Sequence, residues 1–376
     1  MTKRILPNQF QPGIFRVGGQ NLDTLQFDLT GSPARIVFGR GSLSRTCDAL
    51  DWLDARRALV LSTDAQKEPA EALACKLGKR CLGVYAKATM HTPVSVTEAA
   101  MGVIEEQRVD CLISFGGGST IGLGKAIAYR TDLPQVAIPT TYAGSEVTPI
   151  LGQTEDGRKT TLRSERVRPE IVLYDPELTG TLPLPMSVTS GINAIAHGVE
   201  ALYAQDRNPV STMMAADGVR ALCEALPAIS GGNGDGEARD RALYGSWLCG
   251  SVLGQVGMAL HHKLCHTVGG AFDLPHAETH TVILPHATAF NAAVASDLLE
   301  PVSNALNGTA PGSGLFGLAE RLGAPTALRD LGMPESGIAH AADLAMSNPY
   351  WNPRPLDRDA IEALIRAAYE GEPPRG

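Results

Sequence analysis

The chain has 376 residues, 44% of them hydrophobic and 19% charged, with a formal net charge of −8 at pH 7. That length supports more than one hydrophobic core, and the acidic total excludes nucleic acid or an anionic membrane as the main partner, because both need a concentrated basic surface. The 7 cysteines are odd in number and show no C-x-x-C spacing, which predicts reduced thiols and a cytoplasmic protein.

Residues 1–30 are polar and irregular, with Pro12-Gly13 and Gly18-Gly19, and read as an N-terminal extension ahead of the fold. Lys3 and Arg4 are followed only by Ile5 and Leu6 before Pro7, so no secretory leader is expected. No uncharged apolar run is long enough to span a bilayer. From Ala34-Arg35-Ile36-Val37-Phe38 onward, short aliphatic runs alternate with helical stretches. Strands are expected at 58–62, 82–85, 110–115, 136–139 and 170–174, with helices near 69–77 and 94–107. Such alternation implies a parallel sheet covered on both faces, with ligands at the carboxyl ends of its strands. Beyond Pro183 and Pro185 the β-type runs largely stop, and alanine and leucine recur at helical spacing, as in Leu243, Trp247, Leu248, Val252, Leu253 and Val256. The expected organisation is a Rossmann-like α/β domain over 31–185 that binds a dinucleotide, then an all-α substrate and catalytic domain over 186–376.

Phe115-Gly116-Gly117-Gly118-Ser119-Thr120 stands between an expected strand and an expected helix starting at Ile121. Its glycines let the backbone approach a pyrophosphate, and the helix N-terminus supplies positive potential. The G-x-G-x-x-G pattern fails at Ile121, and the P-loop pattern fails at Ser119 and Ala126. Thr140-Thr141-Tyr142-Ala143-Gly144-Ser145-Glu146 follows another strand and offers hydroxyls around a glycine. Asp64 lies beyond the second strand, where a carboxylate can meet an adenosine ribose or serve as an ordinary turn residue.

Six of the nine histidines fall between His261 and His286. On a helix, His262 and His266 share a face, as do Asn193 and His197 on another helix expected to begin near 189–191. Gly269-Gly270 and Pro275 are expected to end the first of these helices and return His276 toward the same point. A lone histidine is more often core or surface, whereas two i,i+4 pairs plus a loop histidine point to a shared site. Lys263 is either part of that site or a solvated helix residue.

Taken together, Met90-His91-Thr92-Pro93, the glycine turn, the Thr140–Glu146 loop, Gly191–His197, His261–His266, Leu274–His280 and Asn348–Arg354 resemble the iron-containing (group III) alcohol dehydrogenase family. The resemblance runs from about residue 30 to the C-terminus, and its narrower motifs are similar to the maleylacetate reductase branch. It implies a dehydroquinate synthase-like architecture, a homodimer, and NADH or NADPH as cofactor. By position it places Gly117, Gly118 and Ser119 on the pyrophosphate. Thr92, Thr140, Thr141, Ser145, Lys159 and Leu178 would line the rest of the cofactor groove, with Asp64 beside the ribose. The ligands of metal-dependent relatives would fall on Asn193, His197, His262 and His276. Asn193 stands where those relatives have an aspartate, and a neutral amide is a poorer ligand, so no metal is expected. The implied activity is reduction of the carbon–carbon double bond of maleylacetate, a small dicarboxylate, or of substituted maleylacetates. His197, His262, His276 and Lys263 would bind the substrate, cationic imidazoles among them attracting the dianion, and His266 would deliver a proton. The competing expectations are a metal-dependent alcohol dehydrogenase that tolerates Asn193 and a lyase of the dehydroquinate synthase type.

Overall fold

The computed structural model describes residues 34–155, 158–232, 236–347 and 350–374, together with residues 16–17, 20–21 and 29. Most of the expected N-terminal extension therefore lies outside the described residues. Within it, β1 (Arg16–Val17) and β2 (Gln20–Asn21) form a short antiparallel pair.

The first half of the fold is a sheet of β3 (Arg35–Phe38), β4 (Ala58–Leu61), β5 (Cys81–Tyr85), β6 (Cys111–Gly116) and β7 (Gln135–Pro139). An antiparallel arm, β8 (Ile150–Glu155) and β9 (Arg158–Arg163), precedes the last sheet strand, β10 (Ile171–Tyr174). Sheet order is β3-β10-β7-β6-β4-β5, and every pairing is parallel. Helices α1 (Thr46–Trp52), α2 (Lys67–Leu77), α3 (Val94–Gln107) and α4 (Gly118–Thr131) cover it.

Strand alternation divides the apolar side chains between two layers. Val60 and Ile113 pack with Leu50 of α1 and Leu73 of α2, whereas Leu59 and Leu112 pack with Ile104 of α3 and Leu123 of α4. With both faces buried, the central strands need continuous apolar sequence, which is why they were legible. After β4 the chain moves outward to β5, then crosses back to β6 and continues the other way. The strand order thus reverses between β4 and β6, and an open α/β sheet binds ligands in the crevice above such a point.

The second half is helical: α5 (Leu184–Tyr203), α6 (Pro209–Ser230), α7 (Gly236–Gln255), α8 (Leu260–Phe272) and α9 (His276–Ala295). It continues with α10 (Glu300–Ala305), α11 (Pro311–Arg321), α12 (Gly337–Ser347) and α13 (Arg358–Glu370). Every residue of α5 from Ser187 to Tyr203 is buried. Gly198 permits its close approach to neighbouring helices, since a Cβ there would lie 2.6 Å from Val219 Cγ2 and 3.0 Å from Cys249 Sγ. Among the described residues no helix is long and apolar enough to cross a membrane.

Four expectations change. The β8–β9 arm was not foreseen; its polar sequence lacks the apolar run of a buried strand. Helix α4 starts at Gly118 rather than Ile121, and α5 starts at Leu184 rather than near residue 189. Helix α8 runs through Gly269 and Gly270 to Phe272, and Asp273, in the left-handed conformation (φ 52°), ends it. A glycine pair weakens a helix by only about 1 kcal/mol per residue, which packing of Leu264 and Val268 into the core overrides.

Candidate active site

Of the residues expected to hold a dinucleotide, Asp64, the glycine turn and Thr140, Thr141 and Ser145 follow the carboxyl ends of β4, β6 and β7, whereas Thr92, Lys159 and Leu178 come from other segments. Gly116 ends β6 with φ 153°, a value that favours glycine, and Gly117 is the N-cap of α4 with no side-chain cap. A Cβ on Gly117 would lie 2.7 Å from Thr141 Cγ2, while one on Gly118 would meet nothing within 4 Å. The turn is thus tight against the Thr140–Glu146 loop on one side and open on the other, where a pyrophosphate could reach the first amides of α4. Thr92, with φ 46°, packs against α4 at Gly122, and its carbonyl accepts from the Thr154 amide at 3.2 Å. Thr141, Ser145 and Ser119 are half-buried, and Thr140 is buried. Asp64 is exposed at the start of a short 3-10 turn after β4. Leu178 is half-buried beside the α1–α2 layer. Lys159 lies on β9, and its side chain falls outside the described residues.

Sequence reasoning missed two residues that shape this groove. Gln66, in the same turn as Asp64, donates its amide to the Thr140 hydroxyl at 2.8 Å and so links the loops after β4 and β7 across the reversal point. Lys125 of α4, fully buried, donates to the Thr148 carbonyl and hydroxyl and to the Ile150 carbonyl, each at 2.9 Å, and also to the Ser145 carbonyl. It holds the segment that carries Thr140, Thr141 and Ser145 against the helix of the glycine turn. The signal for both was weak, since one glutamine and one lysine inside helical sequence look like solvated residues.

The histidine site is assembled from α5, α8 and α9. Asn193 and His197 lie one helical turn apart on α5 and are 5% and 4% exposed. The His197 and His262 rings stack with centroids 5.2 Å apart. His262 is followed by His266 at 6.2 Å, and His266 by His276 at 6.3 Å. All four histidines foreseen at the site are thus brought together, with His266 and His276 exposed at its rim. Lys263 is half-buried, with Nζ 5.4 Å from the centre of the Tyr350 ring. Asn193 Oδ1, His197 Nδ1 and His262 Nε2 are buried without a hydrogen-bond partner among the described residues.

Behind these rings stands Glu200, unforeseen and fully buried. Its Oε2 lies 2.6 Å from His262 Nδ1 and accepts from the Ala259 amide at 3.1 Å, while Oε1 accepts from the His261 amide at 2.9 Å and from the Tyr203 hydroxyl at 3.3 Å. A helical stripe was the available signal, because Asn193, His197 and Glu200 stand at i, i+4 and i+7.

His261 and His280 form a second pair, with Nε2 and Nδ1 3.0 Å apart, and the Cys265 thiol lies 3.7 Å from His261 Nε2. Their ligand atoms fall within 4.8 Å of one another. The two imidazoles already hydrogen-bond each other through one nitrogen each, and burial pushes the Cys265 thiol well above its ordinary value, which disfavours the thiolate a metal would need; His280 Nε2 is buried without a hydrogen-bond partner among the described residues. Burial also holds His197 well below the ordinary histidine value, with the His262 and His276 rings adding to the effect, and His261 and His280 shift the same way for the same first reason. Burial thus disfavours the cationic form at His197, one of the imidazoles expected to attract the substrate.

A model of the iron-containing alcohol dehydrogenase family matches residues 33–176, and a model of that family's C-terminal region matches residues 187–369. A maleylacetate reductase of Rhizobium sp. (strain MTP-10005) is 56% identical over 348 residues, covering 93% of this chain and 99% of the relative. The chain belongs to the iron-containing alcohol dehydrogenase family. A second relative in it, the maleylacetate reductase of Sphingobium indicum, is 52% identical over 350 residues, again 93% of this chain and 99% of the relative. The crystal structure of maleylacetate reductase from Agrobacterium tumefaciens superposes with a TM-score of 0.90 at 54% identity, covering 93% of this chain and all of that one. The protein is an oxidoreductase of this family, with the α/β and helical halves that the family shares.

The family name implies iron, and the donor set decides whether a divalent cation fits. Asn193, His197, His262 and His276 offer one amide oxygen and three imidazoles, with no anion among them. The nearest buried carboxylate, Glu200, sits behind His262 and is taken up by backbone amides and Nδ1. An amide oxygen is a poorer ligand for a divalent cation than a carboxylate, and without an anion of its own this set fits iron poorly.

Proposed function

We propose that this protein is a maleylacetate reductase that uses NADH or NADPH without a metal. Maleylacetate, one hydride and one proton give 3-oxoadipate, and the cofactor leaves oxidised. The observation that carries the reading is the buried Asn193–His197–His262 cluster, whose unpartnered polar atoms are an amide oxygen and two ring nitrogens, with no carboxylate among them.

The glycine turn would hold the pyrophosphate of a reduced nicotinamide cofactor, which would supply the hydride, and membership of the family supports NAD(H) in that role. The substrate's double bond is conjugated to a ketone, so hydride addition at the alkene carbon leaves an enolate with its charge shared between oxygen and carbon. Such a delocalised anion is a weaker base than the alkoxide formed when a simple carbonyl is reduced, and hydrogen-bond donors suffice to stabilise it. His197 provides an N–H donor beside it, and the Asn193 side chain, whose Oδ1 is the unpartnered atom, provides a second with its amide flipped. Lys263, anchored over Tyr350, is the cation for a substrate carboxylate. His266, exposed at the rim and adjoining both His262 and His276, delivers the proton to carbon.

The test is NADH oxidation on mixing purified, exhaustively chelated protein with maleylacetate. Full activity supports the reading. Activity that vanishes on chelation and returns only with zinc or iron rejects the metal-free mechanism, and oxidation of simple alcohols in place of maleylacetate reduction rejects the substrate.

A further inference from the structure

A carboxylate with no contact to solvent is costly unless its oxygens are matched by donors. Glu200 has them from three directions: backbone amides of Ala259, His261 and His262, the Tyr203 hydroxyl, and His262 Nδ1. Its location explains the arrangement. Helix α8 begins at Leu260, and its N-cap residue, Ala259, has no capping side chain. The first amides of α8 would be unsatisfied, and a side chain from α5 closes them instead. One residue therefore caps the helix that carries His262 and also holds the His262 ring.

We propose that Glu200 is a positioning residue that fixes His262 as the Nδ1–H tautomer and leaves Nε2 as the one ring nitrogen presented to the substrate. A carboxylate surrounded by donors can only accept, so the hydrogen between Oε2 and Nδ1 belongs to the imidazole. His262 Nε2 is consequently the unpartnered nitrogen, and it adjoins His197, whose ring stacks on the same imidazole. Glu200 lies seven residues along α5 from Asn193, so the helix that supplies the neutral amide also supplies the carboxylate that orders the ring opposite. In the Nδ1–H form, Nε2 is an acceptor and does not join the N–H donors that face the enolate; the other tautomer would replace its lone pair with a hydrogen, and so change what the site can accept, without moving any backbone. Partners that orient a metal-ligating imidazole in this way are worth about 10- to 100-fold, and a similar weight is expected for one that faces a substrate.

The kinetic part of this inference rests on the reductase reading; the tautomer part does not. The experiment is nitrogen-15 NMR of histidine-labelled protein at alkaline pH, with His262 assigned by its loss in His262→Gln. It is paired with steady-state kinetics and thermal melting of Glu200→Gln. The side-chain amide that this substitution introduces can donate to Nδ1, so the variant allows His262 to take the other tautomer. The expected results are an Nδ1–H signal for His262 in the native protein, its replacement by Nε2–H in Glu200→Gln, and a fall in kcat of at least tenfold with KM for NADH within twofold. A native His262 in the Nε2–H form overturns the proposal, as does a folded Glu200→Gln whose kcat stays within twofold. Should the variant fail to fold, or the native protein fail to reduce maleylacetate, the native spectrum alone decides.

Discussion

The Lys125 ammonium of α4 and the hydroxyl of Thr148 meet at 2.9 Å inside the protein, and the same ammonium holds the carbonyls of Thr148 and Ile150 at the same distance. Burial pulls the Lys125 pKa down to about 7, opposed by the neighbouring Glu146. Its oxygen cage is therefore what makes a buried lysine tolerable. Lys125→Met removes the donor and leaves those acceptors dry, at a cost of about 3 kcal/mol. We expect denaturant titration to read that loss and KM for NADH to rise, because the released segment carries Thr140 and Thr141. An unchanged KM would dissociate this lysine from the cofactor groove.

Gly117 and Gly118 are adjacent, yet a methyl group affects them differently. Gly117→Ala pushes into Thr141, so both the melting temperature and cofactor affinity should fall. Gly118→Ala meets empty space within the protein and sits in the first turn of α4, where alanine favours the helix by about 0.5–1 kcal/mol. Its melting temperature should hold or rise while KM for NADH increases, on the order of tenfold, because the methyl occupies the approach of the pyrophosphate. Equal KM values for native protein and Gly118→Ala would remove the turn as the phosphate site.

Restoring an anion to the first position of the histidine cluster should restore metal binding. Asn193→Asp places a carboxylate beside His197 and His262, completing a set with one anion and three imidazoles. Isothermal titration with zinc should show affinity at least tenfold above that of the native chain. Equal zinc affinity would mean that the amide is not what weakens the native site.

His266→Ala should lower kcat by about 10²-fold, the usual weight of a proton donor, while NADH binding followed by fluorescence stays the same. A turnover number at the native level would remove His266 from that role.

His286, buried against Phe316 and away from the cluster, gives a pH signature of its own. Burial lowers its pKa to about 4. Between that value and the ordinary histidine value of about 6.5, the unfolded chain binds more protons than the folded one. Stability from the neutral ring is therefore complete above pH 6.5 and is lost as pH falls toward 4, by about 3 kcal/mol in all. His286→Leu should flatten that slope relative to the native protein in denaturant titrations from pH 5 to 8, and parallel curves would show that another group controls it.

Much of this protein was determined by local pattern alone. The apolar runs of β4, β6 and β7, the helical interludes, the glycine turn and the i,i+4 pairs Asn193/His197 and His262/His266 are set by periodicity, which needs only neighbours in the chain. Tertiary structure decided the rest. That Gln66 reaches Thr140, that Lys125 disappears beneath Ser145 and Thr148, and that Glu200 backs His262 all depend on which faces meet across 20 to 74 residues of sequence. Charge states followed the same rule. An imidazole's protonation depends on its burial and on the rings beside it, so the downward shift of His197 exists only once α5 is enclosed by its neighbours.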